Sequence, residues 1–213
     1  MAHAVRPWLL GSTLLVALTA CERTRAREEF APPPTNTETA SIKTSTSASV
    51  PALDVTLKYP ATDSIGAKRR IRLEKAEATQ AHSPPEAWRI EFDEKGGFAG
   101  ICWKNRAGNE GEAPGDDLSA AGYRRISFWA KGEAGGEIVE FRAGGLGNVK
   151  TRYRETLDVT AGKLKLGTSW TEYSIYVSNA DLSSVMTPFC ALLHQEDNPA
   201  KTVIYLDDIQ YRG

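Results

Sequence analysis

The fold is decided by one stretch near the end of the chain, Lys201-Thr202-Val203-Ile204-Tyr205-Leu206-Asp207-Asp208-Ile209-Gln210-Tyr211. β-Branched and aromatic residues dominate it, and neither Gly nor Pro interrupts it, so it predicts a single β-strand. Strict alternation would put Asp207 and Ile209 on one face and Leu206 and Asp208 on the other. Each face would then carry a carboxylate among apolar neighbours, which requires a hydrogen bond, a counter-charge or a cation.

Residues 53–213 contain many short segments with alternating apolar residues, separated by Gly-rich turns. No segment shows helical periodicity over ten or more residues. The other predicted strands are 53–59, 70–74, 87–92, 99–104, 125–131, 137–142, 153–157, 170–177 and 188–193. This pattern predicts an all-β fold, an antiparallel β-sandwich or barrel. About 160 residues are enough to bury a core without a metal or a disulfide.

Residues 1–20 are predicted to be a lipoprotein signal peptide. Arg6 supplies a positive charge, and Trp8–Ala17 is apolar but shorter than the about 20 residues that span a bilayer. The segment ends in Leu18-Thr19-Ala20-Cys21, which resembles the bacterial lipobox. This resemblance implies cleavage before Cys21, acylation of that residue (palmitate included) and an extracytoplasmic chain anchored to a bacterial membrane. The alternative is an ordinary signal peptide with Cys21 as a stray thiol.

Residues 21–52 are predicted to be a lipid-anchored, disordered linker. They contain Pro32-Pro33-Pro34 and a long Ser/Thr-rich stretch, and they carry too few apolar residues to form a core. The segment would act as a spacer between the membrane and the sandwich at residues 53–213.

Charge and motif content argue against two broad functions. The 213-residue chain has a net charge of −1 and no basic run with interleaved aromatic residues, which speaks against nucleic-acid binding. His82 and His194 lie far apart, and no nucleophile-elbow or phosphate-loop motif occurs. A glycosidase would need two carboxylates across a cleft, whereas Asp207 and Asp208 are neighbours that would point to opposite faces. The sequence therefore predicts a binding protein and not an enzyme.

Three segments, taken in order, resemble the galactose-binding-like jelly rolls of carbohydrate-binding modules. They are Asp117–Ser119 before Ile126–Glu133, Trp170–Ile175 before Asp181–Val185, and the closing Ile204–Ile209. The resemblance implies two antiparallel sheets that hold a sugar on a concave face or at loop tips. It also implies a structural Ca²⁺ near the last strand, and Asp207 stands at the position that would ligate it.

Sugar binding combines aromatic platforms with polar side chains that pair with hydroxyls. Trp103 follows Gly97 and Gly100 and precedes polar residues, so it is the candidate platform, with core packing as the alternative. Glu140 and Arg142 share a strand face and would bind hydroxyls, or else form an ion pair on a solvated face. Tyr153, flanked by arginines, is a further ligand-binding candidate. The predicted partner is a polysaccharide or cell-envelope glycan. The alternative is a structural or protein-interaction sandwich of the envelope with no sugar site.

Cys102 and Cys190 both lie in predicted strands of a domain that is predicted to be exported. Oxidising compartments favour pairing, so a disulfide is one possibility, and two buried free thiols are the other. A bridge across so long a loop would add roughly 4–5 kcal/mol on the chain-entropy model.

Overall fold

The computed structural model describes residues 49–59, 61–93, 97–145 and 151–213. The predicted signal peptide, Cys21 and nearly all of the predicted linker lie outside the described residues. Within the described ranges, no helix is long and apolar enough to cross a membrane.

Short strands make up most of the regular structure. The elements are β1 (Leu53–Asp54), α1 (Val55–Lys58), β2 (Ala61–Gly66), β3 (Ile71–Ala76), β4 (Ala87–Phe92), β5 (Phe98–Trp103), β6 (Arg125–Gly132), β7 (Ile138–Gly144), β8 (Asp158–Lys165), β9 (Thr171–Tyr176), β10 (Phe189–His194) and β11 (Thr202–Arg212). Single 3-10 turns occur at Lys68–Arg70, Ala78–Gln80 and Ser119–Ala121.

The strands form two antiparallel sheets. The six-stranded sheet has the order β3-β4-β11-β6-β9, with β1 also paired to β11, and the five-stranded sheet has the order β2-β5-β10-β7-β8. Aromatic rings from both sheets meet between them: the Phe128 centroid lies 4.6 Å from that of Phe141 and 5.0 Å from that of Phe189. The inner faces thus form one core, and the predicted all-β antiparallel sandwich is confirmed.

The closing strand β11 lies inside the six-stranded sheet, between β4 and β6, and it contains a bulge. The register shifts between Asp207 and Gln210, and Asp208 has φ 48°, a left-handed conformation that Asp tolerates better than a β-branched residue does. The extra residue reverses the alternation, so Leu206 and Ile209 are both fully buried. The prediction that Asp207 shares a face with Ile209 is therefore wrong.

Two strand predictions also differ from the structure. Residues 53–59 form only the two-residue β1 and then α1, because Asp54 Oδ1 accepts the N–H groups of Thr56 (2.9 Å) and Leu57 (3.0 Å) and caps a helical turn. Residues 153–157 are irregular, and the strand is β8, which follows them. Gly162, with φ 73°, lies within β8 opposite a register shift in β7. A glycine inside a strand weakens its sequence pattern, which is why the sequence did not predict β8.

Candidate functional site

The outer face of the five-stranded sheet brings together several of the predicted site residues. Two cross-strand rows run over β2, β5, β10, β7 and β8: Ile65–Gly100–Leu192–Glu140–Lys163 and Asp63–Cys102–Cys190–Arg142–Thr160. The part of this face near β2 is largely apolar, whereas the part over β7 and β8 is charged. A face of mixed character suits a ligand that has both apolar and hydroxyl-bearing surfaces.

Glu140 and Arg142 form the charged centre of this face. Arg142 Nη1 lies 3.7 Å from Glu140 Oε1, and Arg142 Nη2 lies 2.7 Å from Asp158 Oδ1. The Glu140 and Arg142 side chains remain 22% and 20% exposed. The ion pair that the sequence offered as an alternative is therefore present, and part of each side chain still faces solvent.

An aromatic residue that the sequence reasoning missed lies on the same outer face, next to His194. Phe98 is 44% exposed, and its ring stacks on His194 with centroids 5.8 Å apart and planes at 25°. His194 Nε2 lies 3.6 Å from Glu140 Oε2, so the histidine links the ring to the charged centre. Phe98, His194, Gln195 and Pro199 line a shallow surface depression.

Trp103 is not part of this surface. It is 0% exposed, and its ring lies 5.9 Å from the rings of Trp88 and Phe189. A fully buried ring has no face free for a sugar, so the prediction of Trp103 as a platform is wrong and its core alternative is correct.

Tyr153 belongs to the loop between β7 and β8 and is half-buried. Its N–H donates to the Gly111 carbonyl at 3.0 Å, and the Arg152 guanidinium lies 5.3 Å from its ring centroid. Within the described residues, no contact joins Tyr153 to Glu140 or Arg142. Of the four predicted sugar ligands, the structure thus brings together only Glu140 and Arg142.

Cys102 and Cys190 are bonded to each other. They are direct cross-strand partners on β5 and β10, with Cα atoms 4.2 Å apart, and both are 0% exposed. Leu192 and the half-buried Ile65 pack around them. The disulfide alternative is therefore confirmed, and the bridge lies in the middle of the candidate face beside Arg142.

A buried lysine fixes the loop that follows β5. Lys104 is 2% exposed, and its Nζ lies 2.9 Å from Asp63 Oδ2 and 2.5 Å from Glu110 Oε1. Burial disfavours its charge, but the hydrogen bonds to Glu110 and Asp63 outweigh burial and raise the pKa of Lys104. The loop is thereby tied to β2 across one end of the face.

Glu155 lies near this lysine and holds the segment that precedes β10. Its Oε1 accepts the N–H groups of Met186 (2.9 Å) and Thr187 (2.5 Å). Its Oε2 is buried and has no hydrogen-bond partner among the described residues. Burial raises the pKa of Glu155, although these two N–H groups oppose the shift.

This raised pKa predicts a pH-dependent stability difference between wild type and Glu155→Gln. A raised native pKa contributes stability that is complete below the ordinary glutamate pKa and is lost as the pH rises through the native value. Wild type should therefore gain stability relative to Glu155→Gln as the pH falls from neutral. Urea unfolding of both proteins across this pH range measures the gap, and a gap that stays constant would contradict the raised pKa.

Asp207 does not fit the predicted calcium role. Its Oδ2 accepts the N–H groups of His82 (3.0 Å) and Ser83 (2.9 Å), and its Oδ1 accepts that of Asp208 (2.9 Å). A cation at these oxygens would meet the positive ends of three N–H dipoles. Within the described residues, no group of three or more His, Cys, Asp or Glu side chains could hold a metal. Calcium binding near the last strand through other groups stays a prediction.

Asp207 and Asp208 instead fix the loop between β3 and β4 on the outer face of the six-stranded sheet. Asp208 Oδ2 accepts the Ser83 hydroxyl at 2.6 Å and lies 3.0 Å from His82 Nδ1. The His82 ring stacks on Trp129, with centroids 3.8 Å apart. The two carboxylates are thus satisfied within the protein, as their apolar surroundings require.

Comparison with solved structures identifies proteins of the same fold. Two are described as family 30 carbohydrate-binding modules: one is 17% identical, covers 75% of this chain and 97% of its own, and has a TM-score of 0.52. The other is 18% identical, with 76% and 88% coverage and a TM-score of 0.53. A family 11 carbohydrate-binding module from Clostridium thermocellum, in complex with a β-1,3-1,4-mixed-linked tetrasaccharide, is 14% identical, with 76% and 94% coverage and a TM-score of 0.51.

At these identities, the likeness establishes the antiparallel β-sandwich and nothing finer. No protein-family model matches the chain, and no curated protein matches it significantly.

Proposed function

We propose that the protein is a non-catalytic module that binds carbohydrate on the outer face of its five-stranded sheet. The observation that carries this proposal is the exposed Phe98 ring stacked on His194, whose Nε2 approaches Glu140, on the same face as the partly exposed Arg142. The solved structures that share the fold support it, because they are carbohydrate-binding modules, one of them in complex with a tetrasaccharide.

The chemistry of the two halves of this surface matches the two kinds of surface on a sugar ring. The apolar C–H face of a pyranose would lie on Phe98, where it removes exposed aromatic area from water. Hydroxyls of neighbouring sugar units would bond to Arg142, which offers only donors, and to Glu140, which offers only acceptors. Since each side chain already holds the other in place, little rotamer freedom remains to be lost on binding.

We also propose that the chain is a lipoprotein of the bacterial envelope, acylated at Cys21, with residues 21–52 as a spacer. The Leu18-Thr19-Ala20-Cys21 motif supports this proposal. The glycan would then be a polysaccharide of the envelope or of the surroundings of the cell. Mass spectrometry of the membrane fraction would detect a diacylated or triacylated N-terminal cysteine, and an unmodified Cys21 would contradict the anchor.

Affinity electrophoresis against a panel of polysaccharides tests the sugar site. At least one polysaccharide should retard the wild-type protein, and Arg142→Ala should weaken binding to it by about tenfold or more, because a charge-assisted hydrogen bond is lost. Phe98→Ala should weaken it as well. Tyr176→Ala is the matched control, because Tyr176 is 75% exposed but lies on the other sheet, and it should bind normally.

The alternative function is that of a structural or protein-interaction module. The burial of Trp103 favours it, since the site then has Phe98 in place of a tryptophan platform. If no polysaccharide retards the wild-type protein, or if Arg142→Ala and Phe98→Ala bind as wild type does, the alternative is the better account.

A further inference from the structure

A row of unpaired basic residues crosses one end of the outer face of the six-stranded sheet. Arg212 on β11 is the register partner of Arg125 on β6, and Arg125 is in turn opposite Tyr176 on β9. The neighbours Tyr211, Ile126 and Ile175 are buried, so alternation directs the three partners outward. Arg124 precedes Arg125, and its N–H donates to the Arg212 carbonyl at 2.7 Å. We refer to Arg124, Arg125 and Arg212 as the arginine row.

The guanidinium groups of the arginine row form no ion pair within the described residues. In the described part of the chain, no carboxylate forms an ion pair with any of the three guanidinium groups, whereas Arg70, Arg89 and Arg142 each have at least one such partner. Arg212 Nε is buried and has no hydrogen-bond partner among the same residues. Like charges directly opposite each other across two strands are destabilising. An anion bound between Arg125 and Arg212 would relieve this repulsion.

The position of the arginine row, next to the start of the domain, indicates the source of an anion that would bind there. The arginine row lines an open depression together with Ser49 and Val50, where the described chain begins. The proposed spacer, residues 21–52, therefore joins the domain next to this depression. This step rests on the proposed acylation of Cys21. Tyr176, 75% exposed next to Arg125, is of a residue type that is enriched at membrane–water interfaces.

We propose that the arginine row docks the domain on a membrane by binding the phosphate groups of anionic phospholipids. Guanidinium groups match phosphate oxygens bidentately. Each arginine near an anionic surface contributes about a fivefold gain in partitioning, so three together give on the order of a hundredfold. Such docking would set the orientation of the sandwich and leave the candidate sugar face, on the opposite sheet, turned away from the lipid.

Arginine-specific chemical footprinting tests this proposal on the full chain. The protein is reconstituted into vesicles of phosphatidylcholine alone or of phosphatidylcholine with about one-third phosphatidylglycerol, and phenylglyoxal labelling is read by mass spectrometry. In the anionic vesicles, labelling of Arg124, Arg125 and Arg212 should fall several-fold and should recover at high salt. Arg69 and Arg106, which are exposed and lie elsewhere on the domain, are the internal controls and should not change.

Equal labelling of the arginine row in both kinds of vesicle would overturn the proposal, as would an equal fall at every arginine. Inorganic phosphate added to the neutral vesicles distinguishes the source of the anion. Protection by phosphate without protection by phosphatidylglycerol would also reject membrane docking and would leave a site for a free anion. Flotation with neutral vesicles reports the anchor, and affinity electrophoresis reports the sugar site, so their failures can be told apart from a failure here.

Discussion

Replacing both Cys102 and Cys190 with Ala is expected to lower the free energy of unfolding by about 4–5 kcal/mol. The bridge joins residues 88 apart in the sequence, so it removes a large amount of conformational freedom from the unfolded chain. It is also completely buried among Leu192 and Ile65, and its loss would leave a gap in the outer face of the sheet. The greater freedom of the unfolded chain and the gap in the packing both lower the stability of the variant.

Denaturant unfolding of the wild-type protein and of the double variant, each with and without reductant, measures this loss. Reductant should destabilise the wild-type protein toward the level of the variant and should leave the variant unchanged. A difference below about 1 kcal/mol would mean that the unfolded chain is already compact enough for the bridge to restrict little. The bridge also supports the candidate sugar site, because the two strands that it joins, β5 and β10, carry Phe98 and His194.

Replacing Lys104 with Met is expected to cost about 2–3 kcal/mol and to release the loop after β5. Methionine fills similar space, but Asp63, whose side chain is only 19% exposed, loses the cation that lies 2.9 Å away. This cost lies below the about 3–5 kcal/mol typical of broken buried pairs, because Glu110 is 50% exposed and can be hydrated.

A matched lysine separates the effect of burial from that of charge alone. Lys163 also pairs with two carboxylates, Glu196 and Asp197, but its side chain is 42% exposed. Its partner Asp197 is as buried as Asp63, but water already screens the exposed ammonium group, so Lys163→Met should cost less than Lys104→Met. Adding Asp63→Asn to Lys104→Met should recover part of the loss, because the uncompensated carboxylate is removed. If both lysine variants are equally stable, or if the double variant recovers nothing, the buried pair is not what fixes the loop.

Most of the fold could be predicted because its strands carry local signals. β-Branched and aromatic residues mark β6, β9 and β11 without ambiguity. The wrong strand predictions have local physical causes. Asp54 caps a helical turn where alternation predicted a strand, and Gly162 interrupts the apolar pattern of β8. The sequence does not predict the bulge at Asp208, because two adjacent aspartates are equally compatible with a regular strand.

The candidate site was only partly predictable, because its members meet through strand pairing. Glu140 and Arg142 are two residues apart, so alternation alone places them together. Phe98 and His194 are distant in the sequence and become neighbours only in the β5–β10 register. Trp103 was misjudged because its neighbouring glycines suggested exposure, whereas alternation from the outward Cys102 turns it into the core.

The single extra residue in β11 changes which residues of the strand point into the core. On its N-terminal side, the apolar residues keep the even-numbered phase, as in Leu206. On its C-terminal side, they take the odd-numbered phase, as in Tyr211. Between the two, Asp207 and Asp208 both reach the loop at His82 and Ser83. If the same residues were paired without the bulge, the last segment would be inverted, with Tyr211 in solvent and Arg212 in the core. The bulge is therefore what keeps Ile209 and Tyr211 in the core while both aspartates reach the loop.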